Sequence, residues 1–274
     1  MTPSPLSPRP RLVRGSFSFI ASVVPALTLV AACAVEPEPE PTFPPDISFS
    51  DSTQGKEDFF GPSIDFERLR QDLAATYPSI EEGSTVPENG KVLCPFQRLL
   101  DRAGMYDSGA EGQSGTTASI MDVARAARDF GCSLFSCGAV ATAVSVGQTF
   151  NGTSSAGRVN LESLHTAAGV AHDCGLTFAK GGTVVDPKVR QRTLDALGAR
   201  ADRHGHLTYS DLKAVKQNIC NEQGVTMSFA GRIEIGLIYT FLGGKKRGFI
   251  DLDDVVRLFH AELPKTLGKP GRAS

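Results

Sequence analysis

From residue 62 to about 265 the apolar residues recur at helical spacing, with almost none of the apolar/polar alternation that a half-buried strand needs. The pattern predicts an all-α fold, a single helical domain of about eight to ten helices over 62–274. Ser63 to Tyr77 carries Phe66, Leu69, Leu73 and Tyr77 on one face. Pro95 to about Ala103 should form a second helix, with proline tolerated in its first turn and Gly104 suited to its end. Thr117 to Phe130 reads as a third. Leu134 to Val146 carries no charge, which suits a helix surrounded by others or lying against a flat ligand, and it is too short to span a membrane. Asn160 caps a run through Leu161, Leu164 and Ala168, and Thr208 to Asp211 reads as a capping-box variant. Phe229 to Leu242 and Asp251 to Leu263 close the domain.

The segment before this region is of another kind. Arg9, Arg11 and Arg14 precede an apolar stretch from Phe17 to Val35 that ends in small residues, which predicts an export signal over 1–35. Its Val-Ala-Ala-Cys33 ending resembles a bacterial lipobox, in which Cys33 carries the lipid. Residues 36–61, with Glu-Pro repeats followed by a polar stretch, hold too little apolar surface to fold and read as a linker. The expectation is a secreted or extracytoplasmic protein, lipid-anchored through Cys33 if bacterial, with no membrane span. Export places Cys132, Cys137, Cys174 and Cys220 in an oxidising compartment, where they can pair in any of three ways. A net charge of −2 offers no basic field, so nucleic acid is not an expected partner.

Three places can carry chemistry. Cys94 directly precedes Pro95 at a helix start, where backbone N–H groups and the positive end of the helix dipole favour a thiolate, a form that ligates metals. The plainer alternative is a core cysteine or a disulfide partner. Glu234 is a lone carboxylate in the apolar run Ile233 to Phe241, and a buried ionised acid needs a partner or a task. Such an acid can serve as a general acid/base; alternatively it sits at the helix boundary, paired with Arg232. His172-Asp173 is an adjacent pair in which a carboxylate can orient an imidazole. Two stretches centred on Gly205 and Gly248 look at a glance like calcium loops. In that register their first positions are Arg200 and Gly243, so the leading acid is missing from both and calcium is not expected.

In their order along the chain, these sites resemble the haem-thiolate peroxidase family that includes fungal chloroperoxidases and unspecific peroxygenases. The family's Pro-Cys-Pro motif and following helix are matched by Leu93-Cys94-Pro95 and Phe96 to Gly104. Its Asn-Leu-x-x-Leu segment ending in Glu-His-Asp-x-Ser is matched by Asn160 to Leu164 and by Ala171-His172-Asp173-Cys174-Gly175. Its distal glutamate on an apolar helix ending Leu-Gly matches Glu234 ahead of Phe241-Leu-Gly-Gly, and its closing helix and Leu-Pro match Asp254 to Pro264. The likeness spans roughly residues 62 to 270.

This resemblance implies haem b as cofactor, with Cys94 as the axial iron ligand and Glu234 as the distal acid/base that His172 and Asp173 position. The implied substrates are hydrogen peroxide and a small organic molecule that is oxidised or halogenated by a monomeric enzyme. Ala171 and Gly175 stand where the family has glutamate and serine ligands for a divalent cation beside the haem, so that cation is not expected. The alternatives are a secreted haem-binding protein without turnover and an exported helical interaction module.

Overall fold

A computed structural model describes residues 66–106, 116–130, 134–167 and 174–267, with side chains placed except at 128, 129 and 134–137. The expected signal over 1–35, the linker over 36–61, His172 and Asp173 lie outside the described residues, as do Cys132 and the side chain of Cys137. The described residues all fall within one compact unit, Glu38–Ser274.

The fold is all-α. The described helices are α1 (Phe66–Thr76), α2 (Pro95–Arg102), α3 (Ile120–Asp129), α4 (Leu134–Phe150), α5 (Pro187–Gly198), α6 (Tyr209–Glu222), α7 (Phe229–Phe241), α8 (Gly244–Arg247) and α9 (Leu252–Phe259). Short 3₁₀ turns cover Pro78–Ile80 and Leu161–Thr166. Among the described residues no helix is long and apolar enough to cross a membrane.

Local chemistry sets most of the helix ends. Pro95 opens α2 and Cys94 is its N-cap; the helix ends at Arg102, and Gly104 turns the chain at φ +74. Thr208 and Asp211 form the reciprocal capping box of α6, and the Ser228 side chain accepts from Gly231 N–H at the start of α7. Asp186 accepts from the N–H groups of Lys188 and Val189 ahead of Pro187, so α5 carries both an N-cap and a first-turn proline. That pair of signals marks a helix the apolar spacing alone does not pick out.

Two expected helices are altered. Thr117–Ser119 is a strand, β1, because it pairs antiparallel with β2 (Arg158–Asn160), Ala118 opposite Val159, and the helix begins only at Ile120. The run after Asn160 is a 3₁₀ turn that stops at Thr166, although the Asn160 side chain does accept from Glu162 N–H. The uncharged α4 is longer than expected and packs on α3 and β2, but it is not surrounded: Val140, Val146 and Phe150 are exposed, the last by 80%.

The second half of the domain places the site. α5 and α6 form one helix–loop–helix, and α7 leads through α8 to α9 as another. Their loops are joined by β3 (His206–Leu207) and β4 (Ile250–Asp251), Leu207 opposite Ile250. Both loops turn on a glycine in the left-handed region, Gly205 at φ +79 and Gly248 at φ +78, so they share the sharp turn of a calcium loop without its leading acids. Leu207, Leu212, Val215, Ile219, Ile235, Ile238, Ile250, Val255 and Leu258 fill the space between the helices. α6 lies along α7, and α9 packs on α2 and α5, which brings the start of α2 to the side of α7.

Candidate active site at Cys94 and Glu234

Cys94 is a free, half-buried thiol in the extended conformation of an N-cap. Burial pushes its pKa up, while the backbone N–H of Gln97 pulls the other way. Glu234 adds to the rise, and Phe96 N–H and the Arg98 guanidinium oppose it. The sulfur makes no closed capping hydrogen bond, so the helix start acts on it as a field. Glu234 thus bears on Cys94 although the two lie far apart in sequence.

An aromatic contact joins the two elements. Phe96, two residues after Cys94, packs on Phe241, which lies two turns beyond Glu234 on α7, with ring centroids 4.5 Å apart and planes tilted by 57°. Phe130 from the end of α3 closes the group, 5.9 Å from Phe96 and edge-on to it. The packing therefore fixes the start of α2 against α7.

The Cys94 loop is held from beneath by Arg98, whose side chain is fully buried. Arg98 donates to the carbonyls of Val92 at 2.8 Å and Phe259 at 2.9 Å, and reaches Leu93 O at 3.4 Å. Its Nε lies 2.9 Å from Glu88 Oε2 in a geometry too bent for a hydrogen bond, so that contact is an ion pair. Arg190 of α5 binds the other oxygen of Glu88 and also donates to Phe259 O at 3.1 Å. Two arginines and one glutamate thus tie α2, α5, α9 and the segment before Cys94 together. Nearby, the buried Tyr106 hydroxyl donates to Gln97 Oε1 at 2.8 Å, and burial pushes its pKa far up, with Cys94 contributing.

Glu234 is 12% exposed and paired with Lys216 of α6, whose side chain is fully buried. The ammonium binds Glu234 Oε2 and donates to the Cys174 carbonyl at 2.8 Å. Arg232, the alternative partner weighed from the sequence, is exposed. Lys216 was legible by the signal that singles out Glu234: it is a lone charge on the buried stripe Leu212, Val215, Ile219 and Cys220. Cys174 and Cys220 form a disulfide, which occurs in one of the three possible connectivities of the four cysteines. At Gly175, which follows it, a β-carbon would collide with the ring of Phe178.

Among the described residues no group of three or more His, Cys, Asp or Glu could hold a metal ion. The donor set at Cys94 is instead a single thiol, neither paired with Cys174 or Cys220 nor sealed in the core. Those two features fit an axial ligand to a metal whose other bonds come from its own macrocycle. No family model, curated protein or solved structure matches the chain.

Proposed function

We propose that the protein is a haem-thiolate peroxidase or peroxygenase, using hydrogen peroxide to oxidise or halogenate a small organic substrate. One observation carries the reading: Cys94 is a free thiol capping the start of α2, and Phe96 next to it packs on Phe241 of α7, the helix that bears the nearly buried carboxylate of Glu234. Haem b held there by Cys94 would supply the iron that activates peroxide. The start of α2 favours the thiolate form of Cys94, and iron ligation would offset the burial that opposes it. Arg98 fixes the carbonyls of Val92 and Leu93 and so holds the sulfur in place. Glu234, paired with Lys216, would be the base that takes a proton from peroxide and returns it to the departing oxygen. The ring of Phe96 helps exclude water from the Cys94 side.

The test is the absorption spectrum of the haem-loaded chain, reduced and under carbon monoxide. A strongly red-shifted Soret band that disappears in Cys94→Ala is expected of thiolate ligation. A chain that folds but takes up no haem, or whose spectrum ignores Cys94→Ala, refutes the proposal. Peroxide-dependent oxidation that survives Glu234→Gln would remove Glu234 from its role.

A further inference from the structure

We infer that Lys216 is the positioning residue of Glu234, and that the Cys174–Cys220 disulfide holds Lys216 in register. The inference rests on the peroxidase reading for its catalytic consequence, but its geometry stands apart from any haem.

A lysine with no solvent exposure is costly unless its ammonium is paired and hydrogen-bonded. Here both conditions are met by two partners only a side chain's reach apart, Glu234 Oε2 and the Cys174 carbonyl. The carboxylate therefore cannot swing about its own χ angles without leaving a buried cation half-satisfied, a loss that fixes its direction.

The carbonyl is equally constrained. Cys174 is covalently joined to Cys220, which lies one helical turn beyond Lys216 on α6. A closed ring results: the disulfide ties the 174 backbone to α6, the 174 carbonyl holds the ammonium, and the ammonium returns to α6 through its own side chain. Gly231, one turn before Glu234, completes the fit. A β-carbon there would lie 3.2 Å from Lys216 Cε and 3.3 Å from Met227 Cγ, so its absence leaves the channel through which the lysine stem runs. A lysine serving packing alone needs neither the glycine opposite it nor an acceptor pinned by a disulfide.

The experiment uses the full chain as wild type, Lys216→Arg, Lys216→Met, Cys220→Ser and Glu234→Gln. In the haem-free protein, the carbon-13 resonance of the Glu234 carboxyl is assigned by its loss in Glu234→Gln. It should shift in Lys216→Met and in Cys220→Ser, and stay near its wild-type position in Lys216→Arg. In the haem-loaded protein, Lys216→Met should keep the red-shifted Soret band and lose turnover by roughly tenfold or more, as a misaligned acid/base does. Lys216→Arg should restore most of it. A Glu234 resonance indifferent to Lys216→Met overturns the inference, whether or not that variant loads haem. So does full turnover in a haem-loaded Lys216→Met, or an Arg variant no better than Met. A wild type that takes up no haem would defeat the peroxidase reading while leaving the carboxyl resonance to decide the Lys216 pairing.

Discussion

The thiol and the carboxylate of the site are built in opposite ways. Cys94 sits on backbone: an N-cap beside a proline, in the field of the helix start, with Arg98 gripping the carbonyls of Val92 before it and of Phe259 at the end of α9. Glu234 sits on side chains: one buried lysine, itself held by a carbonyl that a disulfide fixes. The first arrangement is stiff because several elements share it, whereas in the second the described ion pair is made by one buried ammonium. In the proposed function the first would hold a metal ligand in position and the second would hold a proton-moving group in direction.

The comparison breaks most severely at Arg98. Arg98→Met would leave Glu88 and the Phe259 carbonyl with Arg190 alone and strand the carbonyl of Val92, so a loss of about 3–5 kcal/mol in denaturant unfolding is expected. A loss below about 1 kcal/mol would mean that the arginine–glutamate group does not organise the thiol end.

The carboxylate end should be the softer of the two. Cys220→Ser opens a cross-link between residues 46 apart and should cost about 2–4 kcal/mol, measured by thermal unfolding with and without reductant. Reductant should abolish the difference between variant and wild type. If Cys220→Ser instead costs more than Arg98→Met, the ranking of the two ends is reversed.

The smallest effect is electrostatic and links the two ends. In the haem-free chain, burial and Glu234 hold the Cys94 thiol above its ordinary range, so alkylation of Cys94 at neutral pH should be slow. Glu234→Gln removes one of those causes and should move the midpoint of the alkylation rate to lower pH, followed by mass mapping of Cys94. The sign for stability follows. A thiol raised in the folded state contributes stability below its unfolded pKa, and that stability is lost as pH rises through the folded value. Folding should therefore weaken on the alkaline side, less so in Glu234→Gln. An unchanged alkylation profile would show that the two groups do not share a site.

Legibility in the sequence followed the same division. The helix after Cys94 was readable at both ends, because a proline in its first turn and a glycine past its last are local rules. Glu234 was readable as a lone charge in an apolar run, and Lys216 carried the same signal on α6 without being picked out. What was not readable is that the two answer each other, since that requires the packing of α6 along α7. The strand at Thr117–Ser119 was hidden for the same reason: three residues take strand geometry only because Arg158–Asn160 pairs with them. His172 and Asp173, which the resemblance assigns to position Glu234, lie outside the described residues, and it is Lys216 that the structure puts against the carboxylate.

The sequence by itself determined the helical class, the caps, and which side chains were too costly to be idle, because propensity, capping and the expense of burying charge act within a few residues. Only the tertiary structure decided which cysteines pair, which lysine meets the glutamate, and that Phe96 and Phe241 pack the start of α2 against α7. Those outcomes depend on distances between segments far apart in the chain, which are set by close packing of the whole core rather than by any local preference.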